Sequence, residues 1–288
     1  MTTGIAEHCE RLTALIRGYG RCAVAFSGGV DSAVVAQAAF LALGENALAV
    51  TAVSSSLASG ELENARQIAQ QIGIRHIEMA TQEFNNPNYL QNAPDRCYHC
   101  KTELYTRLES VCEPLNVEVV LNGANLDDQG DYRPGMIAAN EHRVKSPLLE
   151  LGMRKADVRA IAAQWNLPVW DKPASPCLSS RVAYGEEVTP ERLQMIDQAE
   201  QFLREFGLKT VRVRFHRGDL ARIEIPADAL AKFCEPLVRT AVLTSLKSLG
   251  FKFVTLDLEG FRSGSLNESL AINKPPTLVQ LNLVNRVP

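Results

Sequence analysis

One short glycine-containing stretch limits the possible folds of this chain more than any other. It is the run Ser27-Gly28-Gly29-Val30-Asp31-Ser32. The apolar run before it (22–26) predicts a buried strand, and the apolar run after it (33–43) predicts a buried helix. Adjacent glycines let the backbone approach a ligand, and a helix start offers free N–H groups and the positive end of its dipole. The stretch therefore predicts an anion-binding loop, with a plain tight turn as the simpler alternative. It lacks the Gly-Lys-Ser/Thr ending of the common ATPase loop.

Strands and helices alternate along the first part of the chain. Further strands are predicted over residues 47–53, 75–79 and 117–121, with helices over 61–72 and 102–112 between them. This alternation predicts an α/β fold with a doubly wound parallel sheet, covered by helices on both faces. Ligands bind such sheets at the carboxyl ends of the strands, where the glycine loop lies. Ser54 and Ser55 end the second strand and are weaker nucleotide-binding candidates, because a serine-rich turn explains them equally well.

Composition excludes several classes of function. The net charge of −3 over 288 residues gives no global attraction to nucleic acid. No apolar run reaches the roughly 18 residues that span a membrane, and no basic region precedes an apolar one near Met1, so we expect a cytoplasmic protein. Seven cysteines in such a protein indicate metal or redox chemistry rather than structural disulfides.

Three of the cysteines are candidates for that chemistry. Cys97 and Cys100 have the two-residue spacing that lets two thiolates meet one metal centre, and Cys177 lies in a second loop. An iron–sulfur cluster held by three cysteines would leave one iron open for a sulfide. A zinc site that adds His99 as a ligand and a redox dithiol are the alternatives. The remaining cysteines have apolar neighbours, and core packing is expected for them.

A second, smaller unit follows residue 185. Helices are predicted from Thr189 to about residue 206 and over 227–249, with strands over 210–215, 221–225 and 251–258. Strand periodicity puts Arg212 and Arg214 on one face, where two guanidinium groups suit a phosphate or form a solvated, ion-paired surface. The predicted division is a nucleotide domain over 1–185, an α+β domain over 186–261 and a loose tail over 262–288.

The motifs together resemble a known family. Ser27 to Ser32 is similar to the pyrophosphate-binding loop (PP-loop) of the ATP-pyrophosphatase superfamily, whose members activate a carbonyl oxygen as an adenylate. Adding Asn-Gly-Ala-Asn-x-Asp-Asp (122–128), Asp-Tyr-Arg-Pro-Gly (131–135) and Ser-Pro-Cys-Leu-Ser-Ser-Arg (175–181), the chain resembles the LarE family of ATP-dependent sulfur transferases. The resemblance implies adenylation of the carboxylates of pyridinium-3,5-biscarboxylic acid mononucleotide and their conversion to thiocarboxylates. This chemistry belongs to nickel-pincer nucleotide (lactate racemase cofactor) biosynthesis.

The resemblance also implies roles for single residues. The cofactors are ATP and Mg²⁺. The residues expected to bind the nucleotide are Ser27, Gly28, Gly29, Val30, Asp31, Ser32, Ser54, Lys101, Gly123 and Asp127. The residues expected to bind the substrate phosphate are Ser180, Arg181, Arg212 and Arg214, and Glu200 and Glu224 are expected to bind a divalent metal. Cys177 matches the sulfur-carrying cysteine, which in the sacrificial form of the family ends as dehydroalanine. The additional Cys97 and Cys100 instead match the form in which a [4Fe–4S] cluster on three cysteines carries an extra sulfide.

Other functions compete with this interpretation. tRNA thiolation also combines such a loop with three cluster cysteines, but it predicts a basic surface. An amidating synthetase with structural zinc needs an ammonia source, and a nucleotide sensor would bind ATP without substrate-dependent pyrophosphate release. The expected partners are a pyridinium dicarboxylate mononucleotide, a sulfide source and other enzymes of nickel-pincer synthesis, with neither nucleic acid nor membrane. A homo-oligomer built on the small domain is also expected.

Overall fold

The first strand holds the centre of the main sheet because both of its faces are apolar. The computed structural model describes residues 4–130, 134–262 and 264–271. In these residues a four-stranded sheet has the order β3-β2-β1-β4, where β1 is Cys22–Ala25, β2 Ala47–Val53, β3 Arg75–Ala80 and β4 Val119–Leu121. All of its neighbouring strands pair in parallel. The predicted parallel sheet is confirmed.

Helices cover the main sheet on both sides. Cys22 and Val24 face a core shared with α1 (Ile5–Arg17), α2 (Val30–Leu43), α3 (Glu61–Ile72) and α8 (Lys155–Gln164). Ala23 faces the opposite core, which α5 (Arg96–Cys112) and α6 (Pro134–Glu141) complete. Two single-turn helices, α4 (Pro87–Leu90) and α7 (Pro147–Glu150), lie in the connections. The sheet is therefore doubly wound, as predicted.

The second unit contains a small mixed sheet of order β5-β6-β7, formed by Arg212–His216, Leu220–Glu224 and Phe253–Leu256. Helix α9 (Pro190–Arg204) packs on it, capped by the Thr189 hydroxyl, which accepts a hydrogen bond from Arg192 N at 3.3 Å. The single helix predicted over 227–249 is wrong. It divides into a 3-10 turn, α10 (Leu230–Cys234) and α11 (Pro236–Ser248), because Pro236 begins a new helix.

The structure also differs from the sequence-based expectations at the small sheet's arginine face. Arg212 and Arg214 are only 8 % and 6 % exposed, so the expected solvation of this face is wrong, whereas the expected ion pair with Glu224 forms at Arg214. The chain around residues 174–181 covers it, as does Ser265, which lies in a 3-10 helix (Ser265–Ala271) within the predicted tail. The domain boundaries themselves stay predictions, and residues 131–133 and 272–288 lie outside the described part of the chain.

Candidate functional site

The glycine loop has the geometry of an anion site. Gly28 has a φ of +67°, and a Cβ on it would lie 3.0 Å from the Ala65 Cα, so the turn accepts only glycine without strain. Gly29 is the N-cap of α2, and the Ser32 hydroxyl accepts from Ser27 N at 3.2 Å and donates to Gly29 O at 3.1 Å. The first turn of α2, including Val30, thus opens at the carboxyl edge of the sheet, with its N–H groups available to an anion.

Two carboxylates beside the loop converge on α8. Asp31 accepts hydrogen bonds from the amide of Asn125 at 3.1 Å and from the ammonium of Lys155. Asp127 accepts from Arg154 Nη1 at 3.2 Å and from Lys155 N at 2.8 Å. Sequence reasoning missed Arg154 and Lys155. The available signal was two cations at a helix start, which the helix dipole disfavours unless an anion lies nearby.

Gly123 follows β4 and packs directly against the glycine loop. A Cβ at Gly123 would lie 2.8 Å from Ser32 N and 2.9 Å from Asp31 C. These distances are too short for any side chain, so the contact requires glycine. Gly123 therefore fixes the first turn of α2 relative to β4, while a direct contact with nucleotide stays a prediction.

The end of β2 holds a buried carboxyl that sequence reasoning did not identify. The hydroxyls of Ser54 and Ser56 donate to Glu83 Oε1, the latter at 3.1 Å. Glu83 is only 3 % exposed, and its Oε2 is one of two buried side-chain polar atoms without a hydrogen bond among the described residues. Ser54 is thus engaged by a carboxyl in the structure, and its predicted nucleotide contact would have to share the hydroxyl.

The three candidate thiols lie around the N-terminal end of α5. Cys97 and Cys100 are one helical turn apart, because α5 begins at Arg96, six residues earlier than predicted. Cys177 lies just before a 3-10 turn, and Leu178 N donates to Ser56 O at 2.8 Å, which fixes that turn beside β2. Burial and the neighbouring Cys177 thiol raise the pKa of Cys100 to about 12, although nearby Lys101 opposes the shift. The three thiols therefore share one electrostatic environment.

A metal centre at these thiols stays a prediction. Among the described residues, no group of three His, Cys, Asp or Glu side chains is close enough to hold one metal ion. His99 points to Asp95, with Nε2 3.4 Å from the carboxylate. Three thiolates are ligands of the kind that a [4Fe–4S] cluster takes, so the chemistry of these residues fits that group. Cys97 and Cys177 are exposed at the surface of this region.

Lys101 lies beside the thiols on α5. Its side chain is exposed, and a Cβ on Gly135 of α6 would lie 3.0 Å from its Cγ. Its predicted contact with pyrophosphate stays a prediction.

An arginine-rich cavity of about 200 Å³ lies next to the thiols, with Arg96 and Pro176, the residues before Cys97 and Cys177, in its lining. The structure brings Ser180, Arg212 and Arg214 together in its wall, as predicted for an anion site, and adds Arg96 and Arg262, which sequence reasoning missed. Arg214 pairs with Glu224 at 2.8 Å and donates to Ser180 O at 3.0 Å. Arg212 instead donates to two backbone carbonyls, Val211 O and Ala174 O. Burial and the neighbouring Arg181 charge lower the pKa of Arg212 to about 10, and nearby Glu200 opposes the shift only in part.

Arg181 does not line the cavity, although it is predicted to bind the substrate phosphate. Its guanidinium is 1 % exposed and pairs with Glu200 at 3.0 Å, and it also donates to Pro176 O and Cys177 O. It therefore holds the Cys177 loop against α9.

The two predicted metal ligands are already occupied by protein groups. Glu200 is fully buried and accepts from Arg181, from Arg204 at 3.0 Å and from Val213 N at 3.1 Å. Glu224 is likewise fully buried, accepts from Arg214 and from the Ser265 hydroxyl at 2.6 Å, and forms an ion pair with Arg222 at 3.1 Å. These contacts favour a role in compensating buried arginines, and the metal role stays a prediction.

Comparison with known proteins agrees with the fold. The family model of asparagine synthase matches residues 14–113, which contain the glycine loop and the first three strands. A tRNA-specific 2-thiouridylase of Azorhizobium caulinodans is 32% identical over 60% of this chain and 54% of its own length. The fold and the loop thus define an ATP-binding protein of the PP-loop class.

Full-length similarity is more specific. An uncharacterized protein of Synechocystis is 47% identical over 91% of this chain and 97% of its own length. The pyridinium-3,5-bisthiocarboxylic acid mononucleotide synthase of Lactiplantibacillus plantarum is 39% identical over 92% of this chain and 96% of its own length. The chain belongs to the family of that synthase, the LarE family. In the described part of the chain, no helix is long and apolar enough to cross a membrane.

Proposed function

We propose that this protein is an ATP-dependent sulfur transferase that converts the carboxylates of pyridinium-3,5-biscarboxylic acid mononucleotide to thiocarboxylates. The product is the compound named in its Lactiplantibacillus relative. One observation carries the proposal beyond that name: the cavity lined by arginines lies next to the thiols, because its lining includes Arg96, whose Nη2 is 3.8 Å from the Cys97 sulfur, and Pro176, which precedes Cys177. A thiol group alone fits many redox proteins, and an anion cavity alone fits many phosphate binders. Their proximity fits a sulfur transfer to an anionic substrate.

The glycine loop would bind ATP for the adenylation step of the reaction. The start of α2 and the Ser27 and Ser32 hydroxyls would hold the phosphates of ATP. Mg²⁺ takes oxygen ligands, which Asp31 and Asp127 offer beside the loop, and when bound it would neutralise phosphate charge. A substrate carboxylate oxygen would then attack the α-phosphorus, and pyrophosphate would leave. Lys155, held between the two carboxylates, lies where it could stabilise the departing charge.

Residues of the small sheet would bind the phosphate of the substrate. Arg212 and Arg214 project from β5 into the cavity, and Ser180 adds a hydroxyl. Arg212 meets no carboxylate among the ion pairs of the described residues, so a bound phosphate would supply the anion that its buried charge lacks. A planar guanidinium also suits phosphate through two parallel hydrogen bonds.

The sulfur-transfer step would use Cys97, Cys100 and Cys177. These thiols would hold a [4Fe–4S] cluster, which when bound supplies a replaceable sulfide as the nucleophile. Sulfur would attack the carbonyl carbon of the adenylate, and AMP would leave with the electron pair of the broken C–O bond. Sacrificial donation of the Cys177 sulfur is the alternative, and the exposure of Cys177 allows it.

Pyrophosphate release tests the proposed adenylation. The protein is incubated with ATP and Mg²⁺, with the pyridinium dicarboxylate or with unmodified tRNA. Release that depends on the dicarboxylate supports the proposal. Release that depends on tRNA would favour thiolation, and binding of ATP with no release under either condition would favour a sensor.

Iron and sulfide analysis after anaerobic purification separates the two sources of sulfur. About four iron atoms per chain, lost in a Cys97→Ser variant, would support the cluster. A colourless protein that cannot be reconstituted would favour sacrifice of the Cys177 sulfur.

We also propose that copies of the chain associate through the small domain. Three large apolar side chains are exposed there: Leu237 at 87 %, Phe253 at 62 % and Leu258 at 85 %. Light scattering on the wild type and on Leu237→Lys tests this, because a charge in the interface would shift the population toward smaller species. A cytoplasmic location, the sulfide source and contacts with other enzymes of nickel-pincer synthesis stay predictions.

A further inference from the structure

Arg96 begins helix α5 between the thiols and the anion cavity. Its side chain is only 5 % exposed, yet it lines the cavity together with Arg212 and Arg214. Its Nη2 lies 3.8 Å from the Cys97 sulfur. Arg96 therefore contacts both the sulfur-carrying region and the predicted substrate pocket.

The charge of Arg96 has no carboxylate partner among the ion pairs of the described residues. Nη1 donates to the Asn92 side-chain oxygen at 2.5 Å and to Ser179 O at 2.7 Å, and both acceptors are neutral. A buried guanidinium with neutral acceptors is costly unless an anion arrives.

The hydrogen bonds of Arg96 also leave a particular edge of the guanidinium open. Both neutral acceptors bind Nη1, while Nε takes part in no hydrogen bond among the described residues and Nη2 contacts only the Cys97 sulfur. The Nε–Nη2 edge is one of those that bind a carboxylate through two parallel hydrogen bonds. The group that suits this edge is thus a planar carboxylate beside the thiols.

Among the described residues, Arg212 on the small sheet and Arg96 at the thiols form no ion pair with a carboxylate, whereas Arg214 and Arg262 already pair with acidic side chains. The proposed substrate carries a phosphate at one end and two ring carboxylates at the other. We propose that Arg96 binds a ring carboxylate of the substrate and holds it beside Cys97 and Cys177, while Arg212 holds the phosphate. This assignment rests on the proposed function and fixes the direction in which the substrate lies in the cavity.

Isothermal titration without ATP tests the assignment, because no turnover occurs. The two probes are pyridinium-3,5-biscarboxylic acid mononucleotide and nicotinamide mononucleotide, which keeps the pyridinium ribose phosphate but carries a neutral carboxamide. Arg96→Gln should weaken binding of the dicarboxylate roughly 10- to 100-fold, as expected for one charge-assisted pair, and change binding of the amide less than about twofold. Arg212→Gln should weaken both probes by a similar factor.

Asn92→Ala is the matched control for a merely structural role. It removes the Arg96 acceptor and the Asn92 hydrogen bonds to Val182 O and Ala183 O, but it leaves the charge in place. It should preserve the preference for the dicarboxylate over the amide. Arg96→Lys keeps the charge with a single-point donor and should give an intermediate preference, which maintains the test if Arg96→Gln does not fold.

Each outcome decides the assignment. An equal loss for both probes in Arg96→Gln would make Arg96 a loop-holding residue, and unchanged binding of the dicarboxylate would remove it from the site. If the wild type binds neither probe, the pyridinium substrate of the proposed function is wrong, and the Arg96 assignment falls with it. If the wild type binds both probes equally well, the substrate class stands but the carboxylate contact does not.

Discussion

Glu200 gives the sharpest test of how the Cys177 loop is held. Its carboxylate is fully buried, and it compensates Arg181, whose guanidinium is 1 % exposed and also donates to Pro176 O and Cys177 O. Glu200→Gln keeps the shape and removes the charge, so Arg181 stays buried without an anion. Loss of one partner of a buried ion pair costs about 3–5 kcal/mol of unfolding free energy. For a chain of this size that is a fall in Tm of roughly 10 °C.

Urea denaturation and thermal melting measure the effect, and a double variant supplies the control. Arg181→Met with Glu200→Leu removes both charges, so most of the lost stability should return. The Val213 N–H then lacks its Glu200 acceptor, which leaves a deficit of about 1–3 kcal/mol. The double variant should still transfer sulfur poorly, because the Pro176 carbonyl loses its Arg181 donor and the Cys177 carbonyl keeps only its hydrogen bonds from Ser180.

The competing role for Glu200 is a metal ligand. In that case divalent ions would raise the Tm of the wild type, EDTA would lower it, and Glu200→Gln would resemble the EDTA-treated protein. The reasoning from the buried ion pair would be refuted by a loss below about 1 kcal/mol in Glu200→Gln, since breaking a buried pair costs more than that. It would be refuted equally by an EDTA effect as large as that of the substitution.

Three further predictions concern the site itself. Cys177→Ala should abolish thiocarboxylate formation but leave dicarboxylate-dependent pyrophosphate release intact, and loss of that release would contradict the role of Cys177 as the sulfur-carrying residue. Gly123→Ala should weaken ATP binding about tenfold or more by displacing the Ser32 backbone nitrogen, which a Cβ would approach to 2.8 Å, and an unchanged affinity by titration would contradict this. In the cluster-free protein, alkylation of Cys100 should be slow at pH 8, because the thiolate is the nucleophile and the thiol has a raised pKa. The alkylation rate should increase about tenfold per pH unit toward that pKa. Site-resolved mass spectrometry measures the rate, and a pH-independent rate would contradict the prediction.

Sequence reasoning was most successful where the signal is local. The strand before Ser27, the glycine turn and the following helix are determined by adjacent residues, and their periodicity and turn chemistry predict them. The parallel sheet followed from the alternation of elements. The N-cap at Thr189 followed from a polar residue directly before Pro190.

Contacts between distant segments could not be predicted in this way. Whether Arg212 faces solvent depends on the segment around Ala174, which lies 38 residues away in the chain, and the sequence carries no signal for that contact. Ser265 was assigned to a loose tail on composition, yet its hydroxyl joins the buried pair of Arg214 and Glu224. Composition describes the average behaviour of a segment, whereas one buried hydrogen-bonding position is enough to order it.

Arg96 shows the same limit at the site. In the sequence it is one cation before a cysteine pair, at a position that the helix prediction left in a loop. Arg96 is a candidate substrate contact because it is buried and donates to the neutral acceptors Asn92 and Ser179 O. Both features arise from the packing of α5 against the Cys177 loop, which the sequence does not show. A cation next to a predicted metal-binding cysteine pair was the available signal, and it does not distinguish a surface arginine from a buried one.

Analysis of the product tests the central claim most directly. The anaerobic protein is incubated with ATP, Mg²⁺, sulfide and pyridinium-3,5-biscarboxylic acid mononucleotide, and the mass of the mononucleotide is determined. The account predicts a stepwise exchange of carboxylate oxygen for sulfur that requires ATP and is absent in Cys177→Ala. Recovery of an unchanged dicarboxylate from active protein that has consumed ATP would contradict it, as would sulfur found in tRNA instead.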